Sequence, residues 1–146
     1  MPEVCESGII NASADAVWAV LRDFSGTRAW APNMASSAIE DGQAGDQVGA
    51  VRRLVFESGA QILERLIALS DVDRYFRYAM LTDEGLPIRD YTGRVRVIPI
   101  TDNSQAVVEW SGTFTVREGD TKEVSEWVRD IYRSGIAGMR DHIAPR

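Results

Sequence analysis

The chain has 146 residues, 45% of them apolar and 26% charged, and a net charge of −6; these are ordinary values for a globular domain, and the length suits one, over residues 1–146. The acidic balance, with no basic cluster to offset it, excludes the electrostatic footprint of non-specific nucleic-acid binding, and no apolar run nears the roughly 20 residues of a membrane-spanning helix. One cysteine, Cys5, and one histidine, His142, exclude an intrachain disulfide and a zinc site of the usual nitrogen and sulfur ligands, and they leave a Ser-His-Asp triad only His142.

The lone Cys5 fits a reducing compartment, so the cytoplasm is expected. The first six residues lack the basic stretch and apolar run of a secretory signal. Gly42, Gly45 and Gly49 do not have the spacing of a phosphate-binding loop.

In chain order, Val4 to Ile10 reads as a short strand. Ser13 has the chemistry of an N-cap, and Val17, Val20, Leu21 and Phe24 recur at helical spacing, which predicts a helix of about three turns from Ala14. Gly26 to Asn33 reads as a second short helical or irregular piece. Pro32 ends it, because proline disfavours helix at the residue before it. A β-rich stretch follows: a weak strand at Ser37–Glu40, then strands at Ala50–Glu57, Ala60–Leu69, Arg74–Leu81, Ile88–Ile100 and Gln105–Val116, divided by turn clusters such as Asp71-Val72-Asp73 and Asp102-Asn103-Ser104. Pro99 lacks a donor and belongs at an edge or a bulge. Sequential hairpins imply an antiparallel meander.

The last element is the clearest. Asp120 and Glu123 have capping-box spacing, with Asp in place of Ser or Thr. Val124, Val128, Ile131, Gly135, Gly138, Met139 and His142 follow along one stripe, which Trp127 and Tyr132 widen. From Thr121 to Ile143 this helix spans about 34 Å. Two glycines on its packing face either let something approach closely or leave room. The organisation expected is α+β: a curved seven-stranded antiparallel sheet wrapped around a long C-terminal helix, with two short helices after the first strand. A curved sheet that grips one helix often leaves a cavity between them.

The segment Gly49 to Leu66 sets charges mid-strand on both arms of a hairpin, Arg52 and Arg53 against Glu64 and Arg65. Parity decides what they can do. With a three-residue loop, Ser58 to Ala60, Leu54 faces Glu64 and Arg52 faces Leu66. Arg52, Leu54, Phe56, Ile62, Glu64, Leu66 and Ala68 then share one face, with Arg52 and Glu64 diagonal neighbours. With a loop of two or four residues the parity flips: Arg53 faces Glu64, and Arg52 faces Arg65 as a repulsive pair. The residues alone leave open a solvated ion pair worth under about 1 kcal/mol or a pair turned into a cavity, where each charge needs the other. Trp30, Trp110, Phe76, Tyr78, Met80, Phe114 and Met139 each fit plain packing, but together on a concave face they suggest an apolar ligand. Cys5 has no evident activating base.

The segments "VWAVLRDF" (17–24), "WAPN" (30–33), "VGAVRRL" (48–54), "ILERLIALSD" (62–71), "RDYTGRVRVIPI" (89–100) and "VEWSGTF" (108–114) together resemble the START-like, helix-grip superfamily (SRPBCC), particularly its polyketide cyclase/dehydrase and lipid-transport branch, over nearly the whole chain. The resemblance implies a ligand cavity under the long helix and favours the three-residue loop. It matches Arg52 to the arginine of a G-x-V-R strand and Glu64 to the glutamate of an E-[RK]-L strand, a pair linked to catalysis in the lachrymatory-factor synthase pattern. It matches Tyr91 to another pocket position. Abscisic-acid receptors, of the same broad group, carry gate-loop motifs that the short "ESGAQ" does not supply, so a gated hormone receptor is not expected.

The ligand-lining set expected is Trp30, Leu54, Phe56, Ile62, Leu66, Phe76, Tyr78, Met80, Tyr91, Trp110, Phe114, Tyr132 and Met139. The function expected is that of a carrier or binding protein for a hydrophobic or aromatic small molecule, lipid- or polyketide-like. The alternative is a cyclase, dehydratase or isomerase that works without metal or nucleotide cofactor. There Glu64 moves the proton, and Arg52 orients or stabilises an oxyanion.

Overall fold

The computed structural model describes residues 1–143. Seven strands and two α-helices follow in the order β1 (Glu3–Ile10), α1 (Ala14–Leu21), β2 (Met34–Ile39), β3 (Val51–Phe56), β4 (Gln61–Ser70), β5 (Tyr75–Met80), β6 (Ile88–Ile100), β7 (Gln105–Val116) and α2 (Thr121–Ile143). They form one antiparallel sheet in the order β1-β7-β6-β5-β4-β3-β2. Consecutive hairpins build it from β2 to β7, and β1 then pairs with β7 along its whole length. The sheet is curved, and α2 lies across it against β1 and β7. This is the predicted helix-grip architecture.

Three details differ from the expectation. Helix α1 ends at Leu21 after eight residues, about two turns instead of three. The second helical piece is a single 3₁₀ turn, Thr27–Ala29, because Pro32 follows too soon for a longer helix. Strand β2 starts at Met34 instead of Ser37.

Local chemistry fixes the helix ends. Ser13 Oγ accepts from the Ala16 amide at 3.1 Å, and Asp120 Oδ2 accepts from the Glu123 amide at 3.1 Å, so each cap satisfies one orphan donor. Pro99 lies on β6 opposite Ala106, beyond the stretch of β6 that pairs with β5, where a missing N–H costs no ladder bond.

Three bulges break the strand alternation, at Ala35 in β2, at Ile67 in β4 and at Asp90 in β6. A bulge bends its strand and changes which residues face inward. In β4 the change removes Ala68 from the inner face it was expected to share with Leu66, and Leu69 packs on the core in its place.

Helix α2 buries Val124, Val128, Tyr132, Gly135, Ile136 and Met139. Ile131, expected on that stripe, is 44% exposed, and Trp127 is 39% exposed, since Tyr132 takes the inward position beside Ile131. The two stripe glycines admit close neighbours. A Cβ on Gly135 would meet the Trp110 ring, and one on Gly138 would collide with the backbone carbonyl of Trp30.

Gly138 supplies a test of this packing. At an open helical position Gly→Ala stabilises by up to about 1 kcal/mol. Here backbone blocks the added methyl, so Gly138→Ala is expected to destabilise the protein by about 1–3 kcal/mol in chemical denaturation. A gain in stability would show that α2 does not sit this close to Trp30.

Candidate functional site

The β3–β4 hairpin turns through Glu57-Ser58-Gly59, with the Phe56 amide bonded to the Ala60 carbonyl at 2.9 Å. The loop has three residues, as the shared-face register requires, but it lies one residue earlier than Ser58–Ala60. Pairing therefore shifts by two: Arg52 stands directly opposite Glu64, and Leu54 opposite Ile62. Parity is unchanged, so both charges still point inward, and they meet head-on instead of diagonally. The Phe56 and Ala60 bond closes the loop, and Gly59 takes the left-handed conformation, φ 92°, that suits such a turn.

Arg52 and Glu64 are 5% and 6% exposed. Arg52 Nε and Nη2 donate to the same carboxylate oxygen, Glu64 Oε1, at 2.9 and 2.7 Å. Arg52 Nη1 donates to Thr27 Oγ1 at 2.9 Å and to the Phe24 carbonyl at 3.3 Å. The guanidinium lies 3.9 Å from the Phe24 ring centroid and 5.1 Å from that of Tyr78, a cation–π arrangement. A guanidinium has five N–H donors, and these contacts use four.

Glu64 Oε2 is different. It accepts no hydrogen bond among the described residues. The one fully enclosed side-chain polar atom left without a hydrogen bond there is Glu6 Oε1, so Glu64 Oε2 is open to the space in front of it.

That space is a cavity of about 410 Å³ between the sheet and α2. Of the residues expected to line it, Arg52, Leu54, Phe56, Ile62, Glu64, Tyr78, Met80 and Tyr91 do so from β3 to β6. Trp30 joins from the segment after α1, Trp110 from β7 and Tyr132 from α2. Leu66, Phe76, Phe114 and Met139 do not reach it. They are 0–3% exposed and fill the solid core elsewhere, Phe76 against Trp18 and Phe24. Strand parity told which face they share but not how far along the sheet the hollow extends. Sequence reasoning missed Thr27, which anchors Arg52, and Leu86 and Ile131 at the cavity wall. The half-exposed Trp127 and Ile131 carried a usable signal, two large apolar residues beside the buried stripe of α2.

The inner wall carries a chain of hydroxyls. Trp110 Nε1 donates to Tyr78 Oη at 2.9 Å, Tyr78 and Tyr91 share a hydrogen bond of 2.8 Å, and Tyr91 bonds in turn to Tyr132. Trp110 also stacks on Tyr132 with centroids 4.5 Å apart. Two missing side chains make this possible. Gly93 and Gly112 pair across β6 and β7; a Cβ on Gly93 would collide with Tyr78, and one on Gly112 with Tyr132 and Tyr91. The Asp90 bulge, with φ at 54°, re-aims β6 so that Tyr91 points inward. Burial pushes the hydroxyls of Tyr78, Tyr91 and Tyr132 above the ordinary tyrosine range, and the Glu64 carboxylate adds to this at Tyr78. All three therefore stay protonated donors. Among the described residues no group of three or more His, Cys, Asp or Glu side chains is placed to hold a metal ion, and no helix is long and apolar enough to cross a membrane.

Two outcomes test this site. The tyrosines titrate near pH 10 in an unfolded chain and higher when folded. The stability they contribute is thus fully present below about pH 10 and is lost as pH rises toward the folded values, because only the unfolded chain releases those protons. Unfolding free energy should decline above about pH 10 by up to about 1.4 kcal/mol per pH unit for each tyrosine, and the decline should weaken when all three are Phe; an unchanged decline would place the three hydroxyls in water. For the ion pair, Arg52→Met and Glu64→Leu should each destabilise by about 3–5 kcal/mol, and the double variant should be more stable than either single one. Additive losses in denaturant melts would show that the two side chains do not meet.

The polyketide cyclase/dehydrase and lipid transport family model matches residues 1–144. A crystal structure of an uncharacterised protein from Bacillus thuringiensis superposes with a TM-score of 0.87 at 29% identity, covering 97% of this chain and 98% of that one. A protein from Nitrosospira multiformis gives 0.82 at 30% identity over 98% and 97%. The di-domain ARO/CYC BexL from the BE-7585A biosynthetic pathway gives 0.78 at 15% identity, covering 98% of this chain and 46% of that one, and shares the fold. A search of curated proteins finds no match to this sequence. With its sheet, its gripping helix and a family match that runs from the first strand to the end of α2, this chain belongs to the polyketide cyclase/dehydrase and lipid transport family.

Proposed function

We propose that this protein binds a hydrophobic or aromatic small molecule, lipid- or polyketide-like, in the cavity between the sheet and α2. The cavity itself carries this reading. Its volume of about 410 Å³ lies in the range of small-molecule sites, and its walls combine apolar and aromatic side chains with a few convergent polar groups, the usual pattern of such sites. Trp127 and Ile131 stand half-exposed beside it on α2 and give an apolar ligand a surface to cross on entry. The family description, which joins polyketide cyclases and dehydrases with lipid transport, agrees with an apolar cargo.

A second reading, a cyclase, dehydratase or isomerase, has one specific observation in its favour: the open Glu64 Oε2 at the end of the Arg52 clamp. A carboxylate fixed by one oxygen and free at the other suits a general base. It would take a proton from the carbon beside a ligand carbonyl, while a tyrosine hydroxyl donates to the carbonyl oxygen as charge develops there. Arg52 would then act as a positioning residue, since four of its five donors are committed to the protein, and the oxyanion role expected of it passes to the tyrosines.

Native mass spectrometry of the protein purified from its own host should reveal a bound apolar molecule. With an enolisable form of that molecule, Glu64→Gln should keep affinity within about threefold and cut turnover by at least about a hundredfold. Binding without turnover in the unmodified protein would leave the carrier reading alone. No bound molecule, together with no chemical-shift response of the cavity residues to any apolar probe, would overturn both.

A further inference from the structure

The hydroxyl chain can be counted. Tyr78, Tyr91 and Tyr132 bring three O–H protons and form two hydrogen bonds among themselves. Each bond uses one proton, so one is left over in every arrangement. If the bonds run from Tyr78 to Tyr91 to Tyr132, the surplus sits on Tyr132. If they run the other way, it sits on Tyr78. If both outer hydroxyls donate inward, it sits on Tyr91. The Trp110 N–H cannot absorb it, because an indole nitrogen only donates, and it already donates to Tyr78. Among the described residues no other acceptor takes a proton from these three hydroxyls. All three side chains line the cavity.

Close by, Glu64 offers a surplus of the opposite kind, the unpartnered acceptor Oε2. Glu64 pairs with Met80 across β4 and β5, and Tyr78 with Leu66, so Glu64 and Tyr78 are diagonal neighbours on the inner face. The charges here already compensate. The Arg52 guanidinium lies on Glu64, and the other charged lining residue, Asp130, is exposed on α2. A carboxylate entering this end would find one spare proton and the Glu64 carboxylate beside it. An ammonium group would gain Glu64 but lie against Arg52. A neutral hydroxyl carries a donor for the one surplus and an acceptor for the other.

Resting on the reading that the cavity takes an apolar small molecule, we infer that its ligand is uncharged and hydroxylated, a phenol, enol or alcohol that enters hydroxyl-first, donating its O–H to Glu64 Oε2 and accepting the surplus proton of the Tyr78–Tyr91–Tyr132 chain. This makes the tyrosine chain a specificity element that selects hydroxylated apolar molecules over fatty acids and over bare hydrocarbons of the same shape.

Three probes of one shape test it by calorimetry or by chemical-shift titration: β-naphthol, β-methylnaphthalene and β-naphthoate. β-Naphthol should bind at least about tenfold more tightly than each of the others, because a site built around a hydroxyl rejects analogues that leave its polar groups unpaired. Its advantage should vanish once pH passes the naphthol's own ionisation. The count makes a sharper demand on variants. Tyr132→Phe leaves two hydroxyls and one bond, hence still one surplus proton, and should keep the preference for β-naphthol over β-methylnaphthalene within about threefold. Replacing all three tyrosines by Phe removes one of the two partners of the hydroxyl and should reduce that preference by at least about threefold while β-methylnaphthalene still binds, the bond to Glu64 Oε2 remaining. If β-naphthoate or β-methylnaphthalene equals β-naphthol, or if the preference is unchanged by the triple replacement or is lost in Tyr132→Phe alone, the inference is overturned. If the triple variant fails to fold, the ranking of the probes on the unmodified protein decides. If none of the three binds, it is the underlying reading of the cavity as a site for aromatic molecules that fails.

Discussion

Two opposite charges lie under the sheet of this protein, each exposed by only a twentieth or so of its surface, and much of the neighbouring structure serves to keep them there. Arg52 is held on one side by Glu64, on another by Thr27 and the Phe24 carbonyl, and is covered by the Phe24 and Tyr78 rings. The turn after α1 thus has a task beyond connection, because its Thr27 completes the shell around the guanidinium. An apolar pair of similar volume would often be as stable as a buried ion pair, or more so. Stability is therefore a weak reason for charges in this position, whereas a cavity that must hold and orient a polar atom is a sufficient one.

The same economy governs the hydroxyl chain, which depends on atoms that are absent. Gly93 and Gly112 sit side by side on β6 and β7, and the space their side chains would fill is taken by three tyrosines reaching in from β5, β6 and α2. The Asp90 bulge turns Tyr91 into that space. Without the bulge, strict alternation from Ile88 would send Tyr91 to the outer face. A strained left-handed aspartate, two glycines and a buried polar network thus gather at one place, which is where strain and unusual burial concentrate in proteins that bind or react.

The fold alone does not decide what occurs there. Proteins at 15% and 30% identity superpose on this chain over nearly its full length, and a fold shared so widely hosts many activities. Chemistry is set by the few polar atoms at the inner wall: an open carboxylate oxygen, a row of hydroxyls and an arginine whose donors are almost all spent. That last point redistributes roles under the proposed function. Arg52 shapes Glu64, and donation to a ligand oxygen passes to the tyrosines.

The sequence by itself determined the elements. Period-two alternation, turn clusters and a capped amphipathic stripe placed β3 to β7 and α2 within a residue or two, since these patterns follow from local backbone geometry. The residues left two hairpin parities open, and the resemblance favoured the one that sets Arg52 and Glu64 on one face; that facing holds although the loop lies one residue earlier, because a shift of two in register preserves it. Depth was not legible. Leu66, Phe76, Phe114 and Met139 have the same inward parity as the cavity lining yet pack in solid core, and Thr27 gave no local sign that it would meet an arginine 25 positions later. Where the hollow begins and ends depends on how closely α2 approaches the sheet, on bulges that reset alternation, and on which strands carry glycine opposite a tyrosine. Those are contacts between residues far apart in the chain, and only the assembled tertiary structure brings them into play.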